Sequence, residues 1–244
     1  MGTASPSTRA ARDDEDGEVP GVEQVTQHAA AHAVRTATGG GLAYWFAKRL
    51  IDIGGSAILL VLLSPVFLLI ALAIWLDTGL PIIYRCQRIG HYGQLITVLK
   101  FRTMRDGSHR HLEELLSVDE ELRLEYGRRR KLRDDPRRTR VGAILRRTSL
   151  DELPQLLNVL SGEMSLVGPR PYFPGELAGR PEAKVILSVQ PGITGLWQVN
   201  GRNDRTFEER LGFDVDYVTR RGFGLDVRIL VGTLSAVVTR KGAY

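Results

Sequence analysis

The sequence predicts an α+β protein that is mainly helical and monotopic in a membrane, with an N-terminal re-entrant helix hairpin and a small β-hairpin. Three observations support this fold class. An apolar run at 53–76 is interrupted near its midpoint by Ser64 and Pro65. Two strand-like segments, 82–89 and 95–101, flank the turn-forming GHYG at 90–93. The remaining chain alternates helix-forming segments with loops rich in Gly and Pro.

The apolar run is long enough to enter a membrane, but it is broken in the middle. Its 24 uncharged residues would extend about 36 Å as a straight helix, against a bilayer core of about 30 Å. Pro65 removes an amide donor and Ser64 can donate to the carbonyl of Leu60, so we expect a bend there. Lys and Arg flank both ends, which favours entry and exit on one face. A kinked spanning helix and a soluble core helix are the alternatives.

Charge divides the 244-residue chain into two parts. Residues 1–41 carry three Arg against six Asp and Glu, whereas residues 42–244 carry 30 Lys and Arg against 22 Asp and Glu. Because the first part has few apolar residues, we predict that residues 1–41 form a disordered acidic tail. With the apolar run, this divides the rest of the chain into a re-entrant membrane helix at 42–80 and a folded domain at 81–244. The basic surplus favours anionic partners, and the single cysteine, Cys86, excludes an internal disulfide.

Three further segments have a composition that predicts local structure. Residues 110–126 are expected to form a helix, and residues 128–140 form a dense basic loop that is either a solvated face or a contact with membrane or phosphate. Residues 225–240 are expected to form the last helix. Its apolar stripe at 227, 230, 231, 234, 237 and 238 favours core packing, with a membrane-facing surface as the alternative.

The segment RRTSLDELPQLLNVL at 146–160 combines a helix start with adjacent carboxylates. Ser149 and Glu152 have the spacing of a capping box, Asp151 lies between them, and Pro154 is tolerated in a first turn. Acidic residues at a helix start are ordinary dipole chemistry and need no ligand. The functional alternative is an anion site where the carboxylates hold a divalent cation such as Mg²⁺ with substrate phosphates. A carboxylate can also attack phosphorus.

Two loops could approach a ligand. In SLVGPRPYFP at 165–174, Pro169 and Pro171 restrict the backbone on both sides of Arg170. A guanidinium held in a nearly fixed place suits bidentate phosphate binding, although a proline-rich surface turn has the same sequence. The second loop, VQPGITGLWQVNGRND at 189–204, is either a ligand-contacting loop or a connector rich in turns.

Four motifs in order resemble the bacterial sugar transferases, the monotopic polyprenyl-phosphate phosphoglycosyl transferases. They are KFRTM at 100–104, RRTSLDELPQL at 146–156, GEMSLVGPRP at 162–171 and PGITGLWQVNGR at 191–202. The chain is most similar to the catalytic domain of undecaprenyl-phosphate galactose or glucose phosphotransferases. The resemblance implies transfer of a sugar-1-phosphate, from a UDP-hexose to undecaprenyl phosphate with release of UMP. This would be the first membrane step of exopolysaccharide, capsule or O-antigen synthesis.

The resemblance also implies a location and residue roles. Ser64 and Pro65 would form the break in the re-entrant membrane helix, which would contact the lipids of the bacterial cytoplasmic membrane. The domain at 81–244 would be catalytic and would lie on the cytoplasmic face of that membrane. Asp151 resembles the family's nucleophile and Glu152 its partner at Mg²⁺. The remaining positions that match substrate-binding residues of the family are Lys100, Arg146, Arg170 and Asp214.

Two rival functions are compatible with parts of the sequence. A glycosyl transferase that moves only the sugar would release UDP instead of UMP. A membrane-anchored anion-binding module would use the basic surplus but leave the acidic pair unexplained. Nucleic acid is not expected as a partner, because no aromatic stacking motif is present among the seven Phe, seven Tyr and three Trp.

Overall fold

The part of the chain that the structure describes is mainly helical and contains one two-stranded antiparallel hairpin. The computed structural model describes residues 41–105, 107–201 and 205–239. The predicted acidic tail therefore lies outside the described residues, except for Gly41. The elements in chain order are α1 Leu42–Leu62, α2 Ser64–Thr78, β1 Ile83–Ile89, β2 Leu95–Phe101, α3 Ser108–Val118, α4 Glu120–Arg129, α5 Arg140–Thr148, α6 Gln155–Ser161, β3 Ser165–Val167, α7 Ala183–Ile186, β4 Gly192–Thr194, α8 Leu196–Val199, α9 Phe207–Arg220 and α10 Phe223–Thr239.

The apolar run forms α1 and α2, which meet at Leu63 with a bend of 62°. Pro65 lies in the first turn of α2, where its missing amide costs least. Ser64 Oγ donates to the carbonyl of Val61 at 2.8 Å, one residue further along than the expected Leu60. Within the described ranges no single helix is long and apolar enough to cross a membrane, whereas the bent pair together passes that test by length and composition.

Polar contacts attach the first half of α1 to the rest of the protein. Lys48 Nζ contacts the Val167 carbonyl at 2.9 Å and Asp226 Oδ2 at 3.0 Å. The Arg49 guanidinium donates to two carbonyls at the end of α6. Asp52 accepts from the backbone amide of Leu166 at 2.9 Å. The start of α1 is therefore fixed on the domain.

The second half of α1 and most of α2 leave large apolar side chains uncovered. Ile70 and Ile74 of α2 pack against the core, but the opposite side of the bent pair is exposed. Many large apolar side chains left exposed on neighbouring turns are typical of a surface that contacts a membrane or a partner. The most exposed members are Val61, Leu62, Leu68, Leu69 and Leu76.

The predicted β-hairpin is confirmed. Strands β1 and β2 pair antiparallel over seven residues, from Ile83 opposite Phe101 to Ile89 opposite Leu95. Val98 of β2 is fully buried in a cluster with residues of α6, β3, α9 and α10. The Arg102 guanidinium, just after β2, donates to carbonyls at the C-terminal end of α2, where a cation is favoured. The hairpin therefore connects the bent helix pair to the domain core.

A second pairing lies within segments that the sequence suggested were loops. The short strands β3 and β4 pair in parallel, with Ser165 opposite Gly192 and Val167 opposite Thr194. The two backbones approach closely, because a Cβ on Gly192 would lie 2.1 Å from the Gly168 amide nitrogen. The glycines therefore allow the chain before Arg170 to be fixed by main-chain hydrogen bonds.

Two sequence-based helix predictions are wrong in detail. The helix expected at 110–126 is divided at Asp119, whose carboxylate caps α4 by accepting from the amide of Leu122 at 3.0 Å. Local side-chain to backbone hydrogen bonds of Asp compete with helix continuation. The capping box expected at Ser149 is absent, because Ser149 adopts a left-handed conformation with φ 59° and ends α5. A capping box occurs instead at Thr206 and Glu209, at the start of α9.

The last helix is confirmed over Phe223–Thr239, but its predicted stripe is mostly uncovered. Val231 and Leu234 are exposed, whereas the fully buried residue of this helix is Ile229. The side chain of Val238 lies outside the described residues. Core packing of the stripe, which the sequence favoured, is therefore wrong for these positions.

Candidate functional site

The acidic pair, Asp151 and Glu152, lies in a short 3₁₀ turn between α5 and α6. Left-handed Ser149 ends α5 and turns the chain, so that Asp151 points inward and is buried. Glu152 is partly exposed and accepts a hydrogen bond from Lys100 Nζ at 2.7 Å. The turn therefore places one carboxylate inside the site and the other at its edge.

Asn158 fixes the register between β2 and the acidic turn. Its side chain accepts from the Leu99 amide at 3.0 Å and donates to the Thr97 carbonyl at 2.8 Å. Asn158 belongs to α6, which follows the acidic pair directly. The strand position next to Leu99 is Lys100, so the same contact that aligns the strand brings Lys100 to Glu152.

Among the described residues, four basic side chains act electrostatically on the acidic pair. Lys100 and Arg146 were predicted site residues, and both lie within electrostatic reach of Asp151. Arg170, the third predicted cation, acts on Glu152. Lys131 acts on both carboxylates. We refer to Lys100, Lys131, Arg146 and Arg170 as the cation cluster.

Burial and the cations act in opposite directions on the two carboxyl groups. Burial raises the pKa of Asp151, and the neighbouring Glu152 adds to that rise, while Lys100 opposes it. Burial also acts to raise the pKa of Glu152, but Lys100 and its hydrogen bond outweigh it and lower the pKa below the ordinary value. The neighbours therefore distinguish two chemically similar carboxylates.

Arg146 is held by contacts on the other side of the turn. Its Nε donates to Thr103 Oγ1 at 3.2 Å, and its Nη1 lies 4.0 Å from Asp135 Oδ2. Helix α5, which carries Arg146, packs tightly on the chain after β2, because a Cβ on Gly142 would lie 2.1 Å from the Thr103 carbonyl oxygen. Gly142 thus permits the approach that brings Arg146 to the site.

The loop that carries Arg170 is fixed by main-chain hydrogen bonds on both sides. The Gly168 amide donates to the Thr194 carbonyl at 2.9 Å, and the Gly192 amide donates to the Pro169 carbonyl at 2.7 Å. The Ile89 amide, at the end of β1, donates to the Tyr172 carbonyl at 2.8 Å. These bonds fix the backbone on both sides of Arg170, and the phosphate-binding role of its guanidinium stays a prediction.

Asp214 was predicted to bind substrate, but its carboxylate lies behind the Arg170 loop and is fully buried. Its Oδ2 accepts from the Tyr172 hydroxyl at 2.6 Å and from the Arg170 amide at 3.2 Å. Its Oδ1 is buried without a hydrogen-bond partner. Burial raises the pKa of Asp214 to about 7, against the effect of these hydrogen bonds. In this arrangement Asp214 positions the loop.

Sequence reasoning missed two residues at this site. Lys131 lies in the basic run at 128–140, where composition gives no sign that one residue turns inward. Burial and the Arg146 charge lower the pKa of Lys131 to about 7. Arg88 of β1 is buried, donates to the Pro171 carbonyl at 3.4 Å and lies 3.1 Å from the Phe173 ring centre. The periodicity of β1 could have marked Arg88 as inward-facing, but not its partner.

The described residues do not by themselves form a recognisable site for a metal ion. Among residues 41–105, 107–201 and 205–239, no group of three or more His, Cys, Asp or Glu side chains could hold a metal ion. The acidic pair supplies two carboxylates, and Mg²⁺ commonly takes one or two carboxylates with substrate phosphates and water. The donor set therefore suits a magnesium–phosphate group better than a metal ion alone.

The match to known proteins covers most of the chain. The family model described as bacterial sugar transferase matches residues 43–240. This chain belongs to the bacterial sugar transferase family. It is accordingly a phosphoglycosyl transferase, as its motifs indicated, and the acidic pair with the cation cluster lies within the matched region.

Three similar proteins show how the match is distributed. The exopolysaccharide production protein ExoY of Rhizobium meliloti is 45% identical over 199 residues, which cover 81% of this chain and 88% of that protein. The undecaprenyl-phosphate galactose phosphotransferase of Salmonella typhimurium is 45% identical over 200 residues, or 82% of this chain. The UDP-galactose-lipid carrier transferase of Erwinia amylovora is 45% identical over 202 residues. The match spans 42% of each of the latter two proteins.

The buried Asp214 predicts a specific dependence of stability on pH. Its pKa is higher in the folded protein than the ordinary 3.8, so its contribution to folding is present at low pH and is lost as pH rises toward about 7. Asp214→Asn removes this titration and replaces the unpartnered Oδ1 by an amide group. The melting temperature of the variant relative to wild type should therefore rise between about pH 5 and about pH 8.

Asp216→Asn is the matched control, because Asp216 lies on the same helix, is partly exposed and pairs with Arg220 at 3.0 Å. Its melting temperature relative to wild type should be the same at both pH values. If the Asp214 variant behaved like this control, the buried carboxylate would not be the source of the pH dependence.

Proposed function

We propose that this enzyme transfers a hexose-1-phosphate from a UDP-sugar to undecaprenyl phosphate and releases UMP. The observation that supports the proposal is the acidic pair among basic side chains, with Lys100 Nζ 2.7 Å from Glu152 Oε1 and the other members of the cation cluster acting on one or both carboxylates. Both substrates carry phosphate, so their approach to a carboxylate requires several positive groups. The names of the relatives from Salmonella typhimurium and Erwinia amylovora contain these substrate classes. We propose exopolysaccharide, capsule or O-antigen synthesis as the pathway class, with this transfer as its first membrane step.

In the proposed mechanism Asp151 is the nucleophile. Its carboxylate oxygen bonds to the sugar-bearing phosphorus while the bond from that phosphorus to the bridging oxygen breaks, and UMP leaves with the electron pair. An oxygen of undecaprenyl phosphate then attacks the same phosphorus and displaces the Asp151 carboxylate. The lipid becomes a diphosphate that carries the sugar. This is covalent catalysis in two displacements.

The surrounding side chains have separate tasks in this mechanism. Lys100, Arg146 and Arg170 hold phosphate oxygens and stabilise charge that develops in each transition state. Lys131, whose pKa is lowered to about 7, adds positive charge next to both carboxylates when its amine is protonated. Asp214 binds no substrate in this account, and it keeps Arg170 oriented through the backbone.

Asp151 and Glu152 are the residues that would hold Mg²⁺. When bound, this ion would neutralise phosphate charge and favour departure of UMP. Lys100 donates to Glu152 Oε1 at 2.7 Å and lowers the pKa of Glu152, so this carboxylate remains ionised. In the proposed account EDTA abolishes turnover and added Mg²⁺ restores it.

We further propose that α1 and α2 form a re-entrant hairpin in the cytoplasmic membrane, with the catalytic domain on the cytoplasmic face. The bend of 62° at Ser64–Pro65 and the exposed apolar side chains of both helices support this arrangement. The start of α1 is attached to the domain by Lys48, Arg49 and Asp52. A hairpin held in this way would keep the site at the depth of lipid phosphates and lower the entropic cost of bringing the substrates together.

The products of the reaction test the proposed function. Purified enzyme is mixed with undecaprenyl phosphate and UDP-hexoses labelled in both the sugar and its phosphate. We expect UMP and a lipid that carries both labels. Asp151→Asn should lower kcat by about a thousandfold or more, and Glu152→Gln by about a hundredfold or more. Asp216→Asn should retain activity.

Two results would contradict the proposal in different ways. Release of UDP, with sugar but no labelled phosphate on the lipid, would identify a transferase that moves only the sugar. Saturable binding of anionic lipid without turnover of any UDP-sugar would identify an anion-binding module.

Cysteine labelling tests the hairpin. In a Cys86→Ser background, cysteines placed at Ser5 and Ser235 should both resist impermeant thiol reagents in intact cells and react after permeabilisation. Pro65→Ala restores a backbone amide next to the bend and removes the restriction that proline places on Ser64, so a single straight helix becomes more favourable. This variant should straighten the bent helix pair and lose activity. Only the cysteine at position 5 should then react with impermeant reagents in intact cells. Labelling of Ser5Cys in the parent protein would mean that the pair spans the membrane.

A further inference from the structure

An arginine-lined cavity lies next to the catalytic site but shares no residue with the acidic pair or the cation cluster. It has a volume of about 430 Å³ and lies between the loop before α5 and the exposed face of α5. Thr139 and Ala143 contribute to its wall. Its four basic residues are Arg133, Arg138, Arg140 and Arg147. We call it the arginine cavity.

The charge of the arginine cavity is mainly positive. Its two acidic residues are Asp134 and Asp135. The Asp135 carboxylate is occupied, because the Arg137 guanidinium binds it through two contacts of 2.7 and 2.6 Å. The Asp134 side chain is fully exposed and lies 3.8 Å from Arg138, so it points toward solvent. A concave surface with this balance attracts anions.

Part of the cavity wall is rigid. Arg138 Nη2 donates to the Arg133 carbonyl at 2.8 Å, and its Nε donates to the Asp135 carbonyl at 3.2 Å. The Thr139 hydroxyl accepts from the Gly142 amide at 2.9 Å and caps α5. The loop is therefore preorganised, which distinguishes the cavity from a solvated run of basic residues.

The arginine cavity and the catalytic site lie on different sides of α5. Arg146 turns toward Thr103 and the acidic pair, whereas its neighbour Arg147 lines the cavity. Asp135 lies between the two sites, bound to Arg137 and 4.0 Å from Arg146 Nη1. A ligand in the cavity would therefore not occupy the position of the reacting phosphate.

The exposed face of α5 adjoins the bent helix pair. Residues 140, 143, 144 and 147 are exposed and share one side of the helix, and Ile144 is 63% exposed. The Val141 amide donates to Asp77 Oδ2, in the last turn of α2, at 3.1 Å. The cavity thus lies near the end of α2 that faces the domain.

We propose that the arginine cavity is a second phosphate-binding site, separate from the site of transfer. Guanidinium groups suit the fork geometry of phosphate oxygens, and several of them in one cavity favour a ligand with more than one negative oxygen. The ligand class is a phosphate ester or inorganic polyphosphate. The phosphate is carried either by an anionic phospholipid or by a soluble molecule, and the lipid source rests on the proposed membrane placement.

Binding of pyrophosphate to the purified full-length chain in neutral detergent tests this site. Arg140→Gln combined with Arg147→Gln removes two exposed cavity residues that take no part in the catalytic cluster. We expect calorimetry to show two classes of binding for wild type. In the double variant one class should weaken by about tenfold or more for each arginine removed. The class that excess UMP displaces should be unchanged.

Arg123→Gln combined with Lys184→Gln is the matched control, since it removes the same charge from two other exposed positions. Equal pyrophosphate binding by both double variants would overturn the proposal. The result does not depend on turnover, so failure of the proposed reaction would leave this test intact.

Lipid discs distinguish the source of the phosphate. Phosphatidylcholine discs with and without phosphatidylglycerol are compared for pyrophosphate binding. If phosphatidylglycerol displaces pyrophosphate from the wild-type cavity, the ligand is a lipid headgroup. If binding is equal in both discs yet lost in the Arg140/Arg147 variant, the ligand is a soluble phosphate. Both results support phosphate recognition by the cavity.

Discussion

The ion pair between Lys100 and Glu152, at 2.7 Å, is the interaction on which the site depends. Two adjacent carboxylates repel each other, and burial of Asp151 makes ionisation of both unfavourable. The positive charge of Lys100 lowers the pKa of Glu152, and it also opposes the rise in the pKa of Asp151 that burial causes. The pair exists because Asn158 aligns β2 with the helix that follows the acidic turn. The charge state of the acidic pair therefore depends on the position of β2 relative to the helix that follows the pair.

Other elements of the fold position Arg146 and Arg170 near the acidic pair. Gly142 lets α5 approach Thr103 and so positions Arg146, while Gly168 and Gly192 let two backbones meet and fix the Arg170 loop. Asp214 supports that loop from inside the core. The positive charge needed for phosphate chemistry is thus supplied by separate elements whose positions are set by packing and by main-chain hydrogen bonds.

The sequence predicted the features that depend on local pattern. The β-hairpin follows from β-rich segments around GHYG, and the bend follows from Ser64–Pro65. Features that depend on distant contacts were missed or wrong. Ser149 has the spacing of a capping box but adopts a left-handed turn, and Lys131 turns inward from a basic run. The motifs indicated that Asp214 belonged to the site. Only the fold reveals that its carboxylate lies behind the Arg170 loop and supports it.

We propose that Asp151 forms a covalent bond to the sugar phosphate, and that bond can be sought directly. Enzyme is mixed with labelled UDP-sugar without lipid acceptor, and the intact protein and its peptides are examined by mass spectrometry. We expect a hexose-phosphate adduct on the peptide that contains Asp151, with about one UMP released per active site. Absence of both adduct and UMP until acceptor is added, with kinetics that require both substrates bound together, would contradict it.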